Sequence, residues 1–389
     1  MTPAPIAAPR TARPLASARS RPLLSACLIV KNEERVLGRC LRSVKPLVDE
    51  IVVVDTGSTD RTPEIAREAG ARVHRFRWRE DFSAARNHAL GLARGEWILH
   101  IDADETVRPC RPSRLGALLA MPSYVAYHVR FHPRPGFTPY WEVRLFRNDP
   151  HIRFRGIIHE TIWPDVEAYQ SAHNARIGRS DLVFEHEGYE GDQRAKHRRN
   201  LPLLRRALRR DPTRVFSWCH LASVYLGLGK PRLAEKAWTA GLRVVREKRR
   251  VLAEDSLPYI GLIEWAAGRG RDVEPLLEES LRKFPRNAHL RWLQGRALAR
   301  TGRFAEAIPV FERLLAAGER GNWDHAMAYD CRLFDLFSYV PLATCHFKLG
   351  RYAEARRYFA FAAQRDAENI EYRAKSALCA RLGDEAGHS

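Results

Sequence analysis

The chain of 389 residues has no long hydrophobic run, which argues against an integral membrane protein. No window approaches the roughly 18 uninterrupted apolar residues that a membrane-spanning helix needs. The N-terminal stretch also lacks the apolar core of a signal peptide. We therefore expect a cytoplasmic protein without an integral membrane segment, and leave peripheral contact with a membrane surface open.

Cysteine is scarce, and its spacing is irregular. The seven cysteines lie far apart, their number is odd, and no C-x-x-C pair occurs. A disulfide framework or a zinc site would require closer and more regular spacing. We therefore expect reduced, mostly buried thiols.

Acidic residues are outnumbered, because 65 Lys and Arg stand against 46 Asp and Glu and give a formal net charge of +19. Such an excess attracts phosphates, acidic glycans, anionic membrane surfaces or nucleic acid. The basic residues are spread along the whole chain, without the concentrated face and interleaved aromatic residues of a nucleic-acid-binding surface. We therefore expect no nucleic-acid partner.

The composition divides the chain into three predicted parts. Residues 1–22 are rich in Pro, Ala, Ser and Arg and contain no acidic residue, which predicts a disordered tail. In residues 23–191 apolar β-branched runs alternate with amphipathic helical segments, which predicts a mostly parallel α/β sheet. Residues 192–389 are predicted to be helical throughout.

Four apolar runs predict the parallel part of the sheet, and they are Leu24–Val30, Ile51–Val54, Ala71–Phe76 and Trp97–Ile101. Asn32, Thr62 and Ser83 are predicted to begin the three helices between them, since their side chains can cap a helix N-terminus. Shorter aromatic runs between residues 124 and 189 predict further strands that close one side of a cleft.

A recurring spacing predicts the architecture of the helical half. Small residues alternate with large apolar ones in four matching sets, which begin at Trp218, Leu257, Arg291 and Tyr339. The second and third sets are about 34 residues apart, the period of tetratricopeptide helix pairs. The helical half thus resembles a tetratricopeptide-repeat solenoid with a degenerate second unit. Such a solenoid offers a concave binding surface.

Acidic side chains stand at the ends of two predicted strands. Asp102 and Asp104 follow the fourth strand, and Asp55 follows the second. In open parallel sheets, ligands collect outside the carboxyl ends of the strands. Turns after strands also favour Asp, so each position has a purely structural alternative. The two aspartates spaced one residue apart indicate a divalent-cation site, because Mg²⁺ and similar ions prefer oxygen ligands.

Four segments, taken in order, resemble the nucleotide-binding half of family 2 glycosyltransferases with the GT-A fold. They read CLIVKNEE, VVVDTGSTDRT, DFSAARNHALGLARGEW and ILHIDADE. The later segments RLFRNDPHIRFRGIIHE and HEGY, followed by helical repeats, resemble a subgroup fused to tetratricopeptide repeats. The resemblance implies a GT-A-type α/β domain over residues 23–191 and an all-α tetratricopeptide-repeat solenoid over residues 192–389.

The resemblance also implies a function, namely a metal-dependent, inverting glycosyltransferase. It would move one sugar from a nucleoside-diphosphate sugar, with a UDP-sugar favoured, to a protein, peptide or glycan acceptor recognised with help from the repeats. The Q-x-x-R-W segment of processive synthases is missing, which favours transfer of a single sugar. The alternative is a non-catalytic interaction scaffold whose transferase domain has degenerated.

Residue roles are implied only where the motifs match. Asp104 would bind Mn²⁺ or Mg²⁺ directly, with Asp102 and one of His159 and His186 as further ligands. Asp55 would accept the imide hydrogen of a uracil or thymine base. The implied nucleotide-sugar site comprises Val30, Lys31, Asn32, Glu33, Asp55, Ser58, Arg86, Asn87, Asp102 and Ala103.

An inverting transfer needs a general base that takes the proton from the attacking acceptor group. A carboxylate near the cleft is the usual candidate. We expect Glu160, in the segment GIIHET, to fill this role, with Asp165 as the second candidate.

Overall fold

The computed structural model describes residues 24–108, 111–186 and 193–386. The predicted tail over residues 1–22 lies outside the described residues, as does the predicted boundary between residues 191 and 192. Within the described residues, an α/β domain is followed by an all-helical region, as predicted from the sequence.

The α/β domain is built on a mixed eight-stranded sheet in the order β3-β2-β1-β4-β7-β6-β8-β5. The strands are β1 (Leu24–Val30), β2 (Glu50–Asp55), β3 (Arg72–Arg75), β4 (Trp97–His100), β5 (Glu105–Val107), β6 (Tyr124–His132), β7 (Tyr140–Arg147) and β8 (Arg176–His186). β1 to β4 pair in parallel as predicted, whereas β7 runs antiparallel to both β4 and β6. The ends of β1, β2 and β4 therefore meet at one edge of the sheet.

Five helices flank the described strands: α1 (Leu37–Val44), α2 (Thr62–Glu68), α3 (Phe82–Leu92), α4 (Pro112–Leu119) and α5 (Trp163–His173). Apolar clusters lie on both faces of the sheet. One contains Leu28, Leu41 and Trp97, and the other contains Val54 and Phe146. Burial on both faces explains why the parallel strands read as nearly continuous apolar runs.

The predicted starts of the first three helices were wrong in detail. Asn32 lies before α1 with φ 57°, and its side-chain oxygen accepts the N–H of Thr59 at 2.8 Å. Thr62 is the first residue of α2 rather than its cap. Ser83 lies inside α3, which is capped by the side chain of Asp81. Asn32 joins neighbouring loops because the segments after β1 and β2 meet at the sheet edge.

The helical region contains α6 (Gln193–Arg210), α7 (Val215–Gly227), α8 (Pro231–Glu247), α9 (Leu257–Ala267), α10 (Glu274–Lys283), α11 (Ala288–Arg300), α12 (Phe304–Arg320), α13 (Leu336–Lys348), α14 (Tyr352–Arg365) and α15 (Ile370–Ala386). The four sets of recurring residues fall on the helix pairs α7–α8, α9–α10, α11–α12 and α13–α14. The predicted repeat register is therefore confirmed.

The two regions share a core and a backbone contact. Ile157 and Ile158 of the α/β domain are buried in the same cluster as residues of α6 and α7. Near the other end, the segment between α12 and α13 pairs with the β6–β7 turn, where Thr138 N–H donates to the Tyr329 carbonyl at 2.8 Å. No helix among the described residues is long and apolar enough to cross a membrane.

The small residues of the repeats allow close helix packing, which predicts the effect of enlarging one of them. A Cβ atom at Gly261 in α9 would lie 2.3 Å from Cε2 of Trp238 in α8. Because overpacking forces neighbouring side chains to shift, we expect Gly261→Ala to destabilise the protein by about 1–3 kcal/mol. The measurement is the thermal unfolding midpoint. Gly383→Ala in α15 is the control, since its Cβ would meet only Tyr352 Cβ at 3.7 Å. Equal midpoints for the two variants would contradict this packing.

Candidate functional site

The loops after β1 and β2 form the predicted nucleotide side of the site. The Asn32 N–H donates to the Ser58 hydroxyl at 3.0 Å, and the Ser58 N–H donates to Asp55 Oδ1 at 2.9 Å. Val30 and Asp55 are buried, whereas Lys31 is exposed. The structure thus brings these predicted residues together at one edge of the sheet. Asp55 also has the turn-forming role that was its structural alternative.

Asp104, directly before β5, and His186, at the end of β8, contact each other directly. The distance from Asp104 Oδ2 to His186 Nε2 is 3.0 Å, and His186 Nδ1 lies 2.9 Å from the Pro133 carbonyl oxygen. The hydrogen bond to Asp104 raises the pKa of His186 to about 9. A histidine whose second ring nitrogen contacts a carbonyl oxygen is held in the orientation that a metal ligand needs. His186 is therefore the predicted histidine that lies beside Asp104.

Glu33 lies close enough to Asp102 and Asp104 to be affected by their negative charges. Burial and the charges of Asp104 and Asp102 raise the pKa of Glu33 to about 7. A bound cation would relieve this repulsion, and oxygen ligands suit Mn²⁺ or Mg²⁺ shared with substrate phosphates. Among the described residues, no group of three or more His, Cys, Asp or Glu side chains is already arranged to hold a metal ion. The donor set at Asp104 and His186 nevertheless fits a divalent cation.

Arg86 in α3 joins two of the predicted acids. Its Nη2 donates to Asp102 Oδ1 at 2.8 Å, and its Nε donates to Glu160. The guanidinium carbon lies 5.5 Å from the centre of the Phe154 ring. Burial alone would raise the pKa of Asp102, but the combined effect of its neighbours, of which the charge of Arg86 is the largest, lowers that pKa well below its usual range. Arg86 therefore favours the ionised form of Asp102 and contacts Asp102 and Glu160 at the same time.

Three buried polar residues next to Asp102 are absent from the sequence prediction. Arg144 Nη2 donates to Glu105 Oε1 at 2.9 Å, and Arg144 Nη1 lies 3.1 Å from Nδ1 of His100. Glu105 Oε2 accepts the N–H of Asp102 at 2.9 Å. Burial raises the pKa of Glu105 to about 7, although the charge of Arg144 opposes the shift. The sequence feature that could have identified this group is the presence of Arg144 and His100 within mainly apolar strands.

Two other predicted site residues hold the backbone that precedes Glu160. Asn87 donates through Nδ2 to the Phe154 carbonyl at 2.9 Å and accepts the Phe154 N–H at 2.8 Å. Asp165 is buried, and it accepts the Arg153 N–H at 3.1 Å and Arg155 Nε at 2.7 Å. The contacts of Asn87 and Asp165 are therefore those of residues that position a neighbouring segment. Ala103 is buried in the apolar core.

His159 lies against the repeats. Its ring centroid is 3.8 Å from that of His220 and 5.5 Å from that of Phe216, both on α7. Burial and the surrounding positive charges lower the pKa of His159 to about 3. Of the two candidate metal-binding histidines, the structure thus brings only His186 to Asp104.

Family models match both regions of the chain. Residues 25–182 match the model described as glycosyl transferase family 2. Residues 260–322 match a tetratricopeptide-repeat model. The first range includes Asp104 and covers the strands of the sheet apart from the first residue of β1 and the last four residues of β8. The second range covers most of α9 and all of α10, α11 and α12.

Individual proteins of known sequence or structure resemble parts of the chain. A TPR repeat-containing protein of Synechococcus elongatus is 38% identical over 252 residues, which are 63% of this chain and 62% of that protein. The SPbeta prophage-derived glycosyltransferase SunS of Bacillus subtilis is 29% identical over 49% of this chain and 46% of its own length.

Among solved structures, glucosyl-3-phosphoglycerate synthase from Mycobacterium tuberculosis, crystallised with Mn²⁺ and UDP, aligns with a TM-score of 0.34 at 19% identity. That alignment covers 47% of this chain and 78% of the synthase. The family models and the sequence relatives agree with the two regions seen in the fold. The chain therefore combines a region similar to glycosyltransferase family 2 with a region similar to tetratricopeptide repeats.

Proposed function

We propose that this protein is a metal-dependent glycosyltransferase that moves one sugar from a nucleoside-diphosphate sugar to an acceptor, with inversion at the anomeric carbon. The observation that carries the proposal is the direct contact of Asp104 with His186 in the α/β domain, two residues after Asp102. Mn²⁺ or Mg²⁺ held by Asp104 and His186 would neutralise charge on the departing diphosphate. UDP is the favoured nucleotide, because we propose that Asp55, at the end of β2, accepts the imide hydrogen of a uracil base.

The remaining roles follow from the contacts around Arg86. Arg86 holds Asp102, which we propose contacts the ribose, and it also holds Glu160. Glu160 is the proposed general base for the acceptor group. Its contact with Arg86 supports this role, because it places the Glu160 carboxylate in the same network as Asp102. Asp165 remains the second candidate for the base, although its observed contacts hold Arg153 and Arg155.

The repeats are proposed to present a protein or peptide acceptor. A cavity of about 400 Å³ lies on the repeats and is lined mainly by side chains of α11 and α13, with Tyr372 of α15. Trp292 and Phe337 give this cavity an aromatic wall, and Arg296 stacks on Trp292 at 4.7 Å. Aromatic and arginine side chains are enriched where proteins bind partners, which supports this surface as the acceptor groove.

The metal site is tested by substituting its two proposed ligands. We expect Asp104→Asn to abolish sugar transfer and Mn²⁺-dependent binding of UDP, and His186→Ala to weaken that binding by about tenfold or more. The measurements are isothermal titration of UDP with and without Mn²⁺, and release of UDP from sugar nucleotides. Asp181→Asn is the control, since Asp181 lies on the same strand as His186 and its side chain is 58% exposed.

Retention of both activities by Asp104→Asn would overturn the proposed metal site. If the unmodified protein bound no nucleoside diphosphate with Mn²⁺, the non-catalytic scaffold would be the better description.

The acceptor groove is tested by point substitutions rather than by deleting the repeats, because deletion would expose Ile157 and Ile158. We expect Thr344→Arg and Tyr372→Ala to lower transfer to arrayed peptides by about tenfold, since each changes the cavity wall. Hydrolysis of the sugar nucleotide by water should be unchanged. Leu349→Ala is the control, because this exposed apolar side chain does not line the cavity. Equal losses in peptide transfer and in hydrolysis would contradict the groove assignment.

A further inference from the structure

The segment from Arg155 to Thr161, here called the Glu160 loop, is closed on itself. Arg155 and Thr161 exchange backbone hydrogen bonds of 2.8 and 3.0 Å. Inside the loop, Gly156 has φ 106° and His159 has φ 55°. A left-handed backbone at a residue other than glycine is unfavourable and persists only where surrounding contacts hold it. The contacts of this loop with the rest of the protein therefore decide its shape.

Arg214, the residue before α7, reaches across from the repeats and contacts both ends of the loop. Its Nη2 donates to the His159 carbonyl, and its Nη1 lies 3.4 Å from the Arg155 carbonyl oxygen. The guanidinium occupies the space beside Gly156, where an added Cβ would lie 2.9 Å from Nη1. One planar side chain with several donors can satisfy two carbonyl groups at once.

Apolar contacts attach the same loop to the repeats. Ile157 and Ile158 are 3% and 4% exposed, and they pack in one cluster with Leu204 of α6 and Val215 of α7. The Ile157 carbonyl also accepts the N–H of Phe82, at the start of α3, at 2.9 Å. The loop is thus anchored on one side by the repeats and on the other by the helix that carries Arg86.

Glu160 connects the loop to the proposed active site. It follows His159 directly in the chain and contacts Arg86, which in turn holds Asp102 at 2.8 Å. We infer that Arg214 is a positioning residue of the transferase site, through which the repeats set the placement of Glu160 beside Arg86. This inference rests on the function proposed above.

Other arginines of the repeats contact the α/β domain without reaching this loop. Arg206 pairs with Glu80 at 3.2 Å, and Arg250 pairs with Glu167 of α5 at 3.5 Å. The Arg250 side chain is 80% exposed. Exposed ion pairs of this kind contribute little to stability. Arg250 therefore provides a matched control, because it is an arginine at the same domain boundary that touches no part of the Glu160 loop.

The test measures kcat and KM for sugar-nucleotide hydrolysis and transfer, together with the Kd of UDP in the presence of Mn²⁺. We expect Arg214→Ala to lower kcat by about a hundredfold, because small misplacement of reacting groups has effects of that size. The Kd of UDP should stay within about twofold, since Asp104 and His186 lie outside the loop. Arg214→Lys should recover part of kcat, as should millimolar guanidinium added to Arg214→Ala. Arg250→Ala should match the unmodified protein.

A double-mutant cycle separates positioning from a general loss of structure. If Arg214 acts through Glu160, then Arg214→Ala should add little to the loss caused by Glu160→Gln, whereas independent sites show additive free energies. Hydrogen exchange at the amides of residues 155–161 should increase in Arg214→Ala and in Arg214→Lys. If Arg214→Ala does not fold, the lysine variant serves for the kinetics and the cycle.

The outcomes distinguish this inference from the proposed function. If the unmodified protein neither transfers nor hydrolyses any sugar nucleotide, the proposed function is wrong. If the unmodified protein is active and Arg214→Ala retains its kcat, the positioning role is wrong. Additive effects of the Arg214 and Glu160 substitutions would also overturn it.

Discussion

The buried guanidinium of Arg86 is the contact on which the site geometry depends. It binds Asp102, just after β4, and Glu160, in a loop from a distant part of the sequence. Two carboxylates close to one another in a partly buried site would repel each other without a cation between them. A planar group with donors along its edges can hold both acids in fixed directions, which a lysine could not do.

This arrangement requires support from both sides. Beneath Asp102, Arg144 pairs with Glu105, whose second oxygen accepts the Asp102 N–H. Removing one partner of such a buried pair would leave an uncompensated charge, so these residues are coupled to the site although they would not touch a substrate. Asn87 and Asp165 hold the backbone that leads to Glu160. The proposed chemistry therefore rests on a surrounding network of residues that position the reacting groups.

The α/β domain and the repeats are distinct segments of the sequence, but they contact each other extensively in the folded protein. Ile157 and Ile158 belong to the core of the first repeat helices, and Arg214 holds the loop between Arg155 and Thr161. A second contact joins the β6–β7 turn to the segment before α13. These contacts connect the repeats with the geometry of the site, because movement of α7 would displace the Glu160 loop.

Local sequence patterns were sufficient to predict the features that depend on neighbouring residues in the chain. Apolar runs identified β1, β2 and β4, the recurring spacing identified the four helix pairs, and the strand-end rule placed Asp55 and Asp104 at one edge. Such features follow from side-chain periodicity and strand direction, which the sequence by itself determines. The choice of His186 rather than His159 beside Asp104, the Arg144–Glu105 pair and the reach of Arg214 were decided only by the tertiary structure. They join residues far apart in the chain, and no local spacing encodes which of several distant side chains will meet.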